Sequence, residues 1–261
     1  MSAPGRLIGA LLLALGSAAL AQAPAPAEDL SSKATDPTAS LMSFQLLNWY
    51  TPSYHGSGDL DSTNQVVLRA AIPFEMFGKP NIMRITQPSY TSSPAGDTGL
   101  GDTQVFNLTV FGQPWGRLAA GVVLLLPTGS DGLCAEKWAA GPALGFINVQ
   151  TKGINWGLFG QTFFSFAGKD EAADVGIVNL QPIFSYQLGG GRSLSLGNSA
   201  FIYNTEKSRW ESLALGVNYG QVVGFWGEKW RPNVELDYDF RDTPGNQKWV
   251  FRVGIALLIP S

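Results

Sequence analysis

Asn233-Val234-Glu235-Leu236-Asp237-Tyr238-Asp239-Phe240 is the stretch that decides the fold of this chain. Its odd positions are polar or acidic, and its even positions are apolar or aromatic. Successive side chains of a β-strand point to opposite faces, so the stretch wets one face and greases the other. The wall of a membrane β-barrel needs that arrangement.

Working outward, apolar and aromatic segments punctuated by Gly, Pro, Asp or Ser fill the chain. They predict strands near 41–50, 64–74, 81–88, 101–111, 117–126, 138–149, 154–166, 175–187, 193–203, 210–219, 230–240 and 248–258. That is twelve, and an even number suits an antiparallel transmembrane barrel with both termini in the periplasm. The connections Thr51–Asn64, Pro88–Leu100 and Pro127–Lys137 are long, whereas Glu75–Pro80, Gly112–Gly116 and Gln150–Gly153 are short. Long outer loops and short periplasmic turns alternate in that way. The alternation fades later, at Asn204–Arg209 and Gly220–Lys229.

The strand faces sort by polarity. Val66, Leu68, Ala70, Ile72 and Phe74 are expected to face lipid, with Gln65 and Arg69 inside. Val178, Leu180, Phe184, Tyr186 and Leu188 oppose Asn179, Gln181, Ser185 and Gln187. Phe251, Val253, Ile255 and Leu257 oppose Arg252. The same logic sends Phe106, Leu108 and Val110 to lipid and Asn107 and Thr109 to the lumen. Trp156–Phe166 is apolar on both faces. Trp49, Trp115, Trp138, Trp210, Trp230 and Trp249 lie near strand ends, where aromatic girdles are expected.

Composition agrees. Charged residues make up 14% of the chain, against about a quarter in ordinary soluble domains. After residue 23 no apolar run reaches the length of a spanning helix. The longest, Leu118–Leu126, is nine residues, the length of a membrane strand. Only a closed barrel lets a sheet cross lipid, because an open edge leaves backbone groups unbonded. The balance of 17 basic and 20 acidic residues shows no basic stripe and points away from nucleic acid. Cys134 is the only cysteine and His55 the only histidine. No disulfide framework is therefore possible, and no cofactor is implied.

Residues 1–21 read as a secretory signal. Arg6 supplies the positive region, Leu7–Ala21 the apolar one, and Ala19-Leu20-Ala21 the cleavage motif. Residues 22–40, rich in Ala, Pro, Ser and Asp without period, read as a disordered periplasmic leader. Residues 41–261 are then the outer-membrane barrel.

A set of motifs recurs in a recognisable order. It comprises Gly99-Leu100-Gly101-Asp102, Leu126-Pro127-Thr128-Gly129-Ser130, Lys137-Trp138-Ala139-Ala140-Gly141-Pro142-Ala143, Asn179-Leu180-Gln181-Pro182-Ile183 and Trp249-Val250-Phe251-Arg252-Val253. In this order the chain resembles the family named for the MetA pathway of phenol degradation, over about residues 60–258. The resemblance implies an outer-membrane barrel that passes small hydrophobic or aromatic compounds. The partners expected of such a barrel are the lipid bilayer, that class of solute, and the barrel-assembly machinery for insertion. Many outer-membrane barrels end in an aromatic residue, whereas this chain ends Leu258-Ile259-Pro260-Ser261.

The expected lumen-lining residues are Arg69, Arg84, Asn107, Asn179, Gln181, Glu235, Asp237, Asp239 and Arg252. Charged rings in a barrel select solutes by charge and bore. The competing reading is register: Arg252 pairs with Glu235 or Asp237 across neighbouring strands. Phe159, Phe163 and Ile183 are candidates for an apolar passage, unless a one-residue slip turns them to lipid. His55, with Ser53, Ser57, Asp59 and Asp61 nearby, permits a lipid-modifying triad in principle, but a loop of this composition is ordinarily a solvated turn. Asp59, Asp61, Asp97 and Asp102 suggest a rim calcium site without EF-hand spacing. The reading as a whole is a twelve-stranded channel for passive passage, not an enzyme. The alternatives are a blocked structural or adhesive barrel, a lipid-modifying enzyme, and a soluble β-sandwich.

Overall fold

The computed structural model describes residues 26–56, 58 and 60–260. The expected signal peptide and residues 22–25 lie outside the described residues. In chain order the elements are α1 (Ala27–Ala34), β1 (Met42–Tyr54), β2 (Thr63–Met76), β3 (Lys79–Ser92), β4 (Gly99–Leu100), β5 (Thr103–Gln113), β6 (Gly116–Leu126), β7 (Lys137–Asn148) and β8 (Ile154–Gly168). They continue as β9 (Gly176–Gly189), β10 (Arg192–Ser195), β11 (Ala200–Asn204), β12 (Arg209–Gln221), β13 (Val223–Phe225), β14 (Glu228–Asp239) and β15 (Gln247–Ile259).

All strand pairs are antiparallel, and β1 pairs with both β2 and β15, which closes the sheet on itself. β10 and β11 lie end to end between β9 and β12 as one interrupted wall strand. β4 and β13 are short side pairs on β3 and β14. The wall therefore has twelve strands, and each corresponds to one predicted segment. Closure removes every free edge, as crossing lipid requires.

The ends of the barrel differ. At the end carrying α1 the strands are joined by tight turns, such as Phe77-Gly78, where both residues have positive φ (53° and 67°). Two-residue hairpin turns of this hand match the twist of the flanking strands. The opposite end carries the longer loops. Leu68, Val122, Leu144, Val217, Val234 and Val253 form an exposed apolar belt on the outer face. Water would not tolerate a continuous belt of this kind, but lipid does.

The lumen has two unlike sides. Ile82, Phe106, Leu108, Val110, Ala119, Val123, Ala139, Ala143, Phe159 and Phe163 form one buried apolar cluster on the inner faces of β3 and β5–β8. Phe106 and Phe159 meet edge to face, with centroids 5.5 Å apart, above the small residues that β6 and β7 present there. A side chain on Gly145 would lie 2.9 Å from the Phe159 ring, so a bare backbone seats the aromatic. This cluster corrects the reading of β5. Phe106, Leu108 and Val110 point inward, not to lipid, because they find an apolar partner across the lumen.

A second difference concerns residues 26–40. Where the sequence predicts a disordered leader, the chain forms α1 and a tight turn at the mouth of the barrel. Leu30 packs with Leu41, Val222, Ala256 and Leu258. Asn155 donates to Ser32 Oγ (2.9 Å), and the Gly190 N–H donates to Glu28 (3.2 Å). Arg117 pairs with Asp36 and donates to Thr38 (3.1 Å). A helix of 8 residues is too short to stand by propensity alone. It forms because the barrel wall supplies its apolar partners, which local sequence does not show.

Candidate functional site

Two chambers of the lumen are bordered by the described residues. One, of about 170 Å³, lies against α1 and is bordered by Asp36, Leu41, Phe106, Ile183, Arg231 and Glu235 among others. The other, of about 280 Å³, lies toward the loops and is bordered by Trp49, Gln104, Gln161, Asn179 and Arg252 among others. Arg69, Arg84, Gln181 and Asn198 border both chambers and form the waist between them.

The charged side of the lumen is built by β14, β15, β1 and β2. In β14, alternation sends Arg231, Asn233, Glu235, Asp237 and Asp239 inward. Glu235 lies opposite Arg252 in the β14–β15 register, and Arg252 Nη1 is 2.8 Å from its carboxylate. The same guanidinium pairs with Asp237. Glu235 also accepts from the Asn198 N–H (2.8 Å) and from Asn218 Nδ2 (2.9 Å). A buried carboxylate is stable when its lone pairs are satisfied in this way.

Asn198 reaches Glu235 because the wall strand breaks between β10 and β11. Gly197 has φ +61°, and a side chain there would sit 2.2 Å from Glu235 Oε2. Only glycine fits this close approach. The bulge aims Asn198 into the lumen, where its Oδ1 accepts from Arg69 Nη1 (3.3 Å). Sequence reasoning passed over Asn198. The signal that marks it is Gly197-Asn198 in mid-strand, since an isolated glycine within a strand pattern indicates a bulge.

Arg69 and Arg84 come from adjacent strands. Arg69 lies opposite Thr86 and Arg84 opposite Ala71, so the two arginines are diagonal neighbours on the inner face. The Arg84 guanidinium stacks 4.2 Å above the Phe106 ring. Arg69 and Arg252 approach the Trp49 ring at 5.8 and 5.0 Å. Trp49 thus belongs to the lumen rather than to an interfacial girdle. Exposed aromatics on the outer surface include Trp138, Trp156, Trp210 and Trp249.

Asn179 and Gln181 face inward from β9, opposite Gln161 and Phe159 of β8. Phe159 and Phe163 are buried, and Ile183 packs against the same apolar cluster. Asp239 serves the rim instead of either chamber: it accepts from the backbone N–H of Leu213 (2.9 Å) and of Arg241 (2.8 Å). Asn107 does not belong to the lumen. It is opposite Met83 and Val122 on the outer face, where Asn107 and Thr109 both donate to Asn81 Oδ1 (3.3 and 2.9 Å). These hydrogen bonds join the three polar side chains on the outer face while the apolar face of β5 turns in.

The loop candidates resolve into structural roles. His55 is buried, with Nε2 2.8 Å from the Asp239 carbonyl oxygen and Nδ1 3.1 Å from Asp242. Nε2 must donate to that carbonyl, and Nδ1 is held by a carboxylate, so neither nitrogen is free to take a serine proton. Ser57 and Asp59 lie outside the described residues. Asp102 accepts from the N–H groups of Gly129 (3.1 Å) and Ala135 (2.7 Å), which pins the loop after β6. Among the described residues no cluster of His, Cys, Asp or Glu could hold a metal ion.

A closed twelve-stranded wall, an oily exterior and a polar-and-apolar lumen define a transmembrane β-barrel of the outer-membrane type. Among solved structures the fold is similar to that of the COG4313 outer membrane channel from Pseudomonas putida F1, with a TM-score of 0.66 and 15% identity over 86% of this chain and 98% of that one. It is also similar to the NanC porin, with a TM-score of 0.59 and 10% identity over 82% and 98%. At such identities the likeness is one of fold. No family model and no curated protein matches the chain.

Proposed function

We propose that the protein is a channel of the bacterial outer membrane for passive passage of small solutes with an apolar or aromatic body. The observation that carries this reading is the pair of chambers meeting at a waist, with a buried apolar cluster along one side. Apolar walls with a few placed polar groups suit small hydrophobic ligands. The ordered motifs that resemble the phenol-degradation family support the same solute class. Insertion would use the lipid bilayer and the barrel-assembly machinery, as for other barrels of this fold. The test is liposome swelling and planar-bilayer conductance with purified, heat-modifiable barrel. Swelling by small aromatic solutes is expected; folded protein giving neither swelling nor conductance overturns the reading.

The seating of α1 favours a second reading, a lumen closed at the short-turn end. Removing residues 26–40 distinguishes the two. If α1 closes the lumen, conductance appears only after its removal, whereas an open channel conducts before and after.

A further inference from the structure

Three arginines of the lumen stand without a paired carboxylate among the described residues. Glu235 and Asp237 are both engaged by Arg252. No carboxylate pairs with Arg69, Arg84 or Arg231 among the described residues. Among the described residues Arg84 meets only the Phe106 ring. Arg69 donates to Asn198 alone, and its Nε is buried without a partner. Arg231 is 6% exposed; it donates to Ser193 (3.3 Å) and Asn218 (3.2 Å), and its Nε is likewise unpartnered.

Like charges at diagonal positions repel, and buried donors without acceptors are costly. Arg69 and Arg84 share the first burden, and Arg69 carries the second as well, at a place that borders both chambers. A carboxylate between them relieves both, since guanidinium groups bind carboxylates through paired charge-assisted hydrogen bonds. Beside that point the smaller chamber presents Phe106 and Ile183. Both chambers are smaller than the ~300 Å³ at which drug-sized pockets begin, so the occupant is small. An anionic head and a short apolar body describe one ligand class.

We propose that Arg69 and Arg84 form a saturable anion site at the waist, and that its ligand class is the small aromatic carboxylate. The proposal builds on the channel reading and narrows its solute. Arg231 lies deeper in the smaller chamber as the next cationic station toward the α1 end. Anion pores commonly rely on such rings of arginine or lysine.

The test is isothermal titration of the detergent-solubilised full barrel with three probes: benzoate, benzyl alcohol and acetate. Benzoate is expected to bind saturably and at least tenfold more tightly than either of the others. Arg84→Gln and Arg69→Gln are each expected to weaken benzoate tenfold or more and leave benzyl alcohol unchanged, while Arg84→Lys recovers part of the loss. Benzyl alcohol binding as tightly as benzoate, or acetate binding as tightly as benzoate, overturns the proposal. So does benzoate affinity unchanged in a folded Gln variant. If the variants fail to fold, the comparison of probes on the unaltered protein decides alone. Swelling with no preference for benzoate removes the site and leaves the channel. Tight benzoate binding without swelling supports the site and removes the channel.

Discussion

On the wall formed by β5–β8, Phe106 and Phe159 meet over alanines and glycines, and the apolar groups are satisfied by one another. On the opposite wall, β14 lays Asp237 and Arg231 against β12, where a side chain on Gly216 would lie 1.9 Å from Asp237 and one on Gly220 2.3 Å from Arg231. Both walls use bare backbone as a seat for a large side chain from another strand. Their energetics differ. Dispersion and burial complete the first wall. The second needs hydrogen bonds and counter-charges, and at Arg69 and Arg231 some are missing. The apolar wall therefore holds the barrel in shape, while the charged wall keeps unspent capacity for a solute.

The largest expected effect breaks the apolar wall. Phe159→Ala empties a fully buried site and should cost about 3–5 kcal/mol, read from urea titration of barrels folded in vesicles. If it costs less than a change on the charged wall, the division of labour is wrong. Glu235→Gln weakens the hub that holds Arg252, Asn198 and Asn218. The expected loss is about 1.5–3 kcal/mol, the scale of a hydrogen bond to a charged group. It also leaves the lumen more positive, so the reversal potential in a salt gradient should move toward anions; a move toward cations contradicts the charge assignment.

Arg117→Ala unfastens Asp36 and the segment beside α1. A loss of about 1–2 kcal/mol is expected, together with more frequent opening in single-channel records. Unchanged gating would mean that the segment is held by Leu30 and its apolar partners alone. The smallest effect is at the loop rim, where Asp174 meets the outer ends of β7 and β8. Hydrogen bonds from Ser165 and Lys137, and the charge of Lys137, hold the Asp174 carboxyl below the usual carboxylate range. A depressed folded-state value means that its contribution is present above the ordinary carboxylate range and is lost as pH falls through the depressed value. Asp174→Asn should flatten that acid limb slightly in unfolding midpoints and leave conductance unchanged.

Most of the wall was legible in the sequence. β2, β9, β14 and β15 show their inner and outer faces through clean alternation, and Arg69, Gln181, Glu235 and Arg252 stand where it places them. β5 alternates as cleanly yet runs the other way. Its apolar face turns in because a partner face waits across the lumen, and on the outer face Asn81, Asn107 and Thr109 bond together. The Asn198 bulge was visible only as a glycine in mid-strand. α1 was invisible, since its few apolar residues match a surface that exists only after closure.

By itself the sequence determined the two-faced strands, their number and the alternation of turns with loops, because these follow from local periodicity and turn chemistry. Tertiary structure decided which face of β5 meets lipid, which arginines keep a carboxylate and what sits in the mouth. Each of those depends on groups brought together from strands distant in the chain, and only the closed ring makes them neighbours.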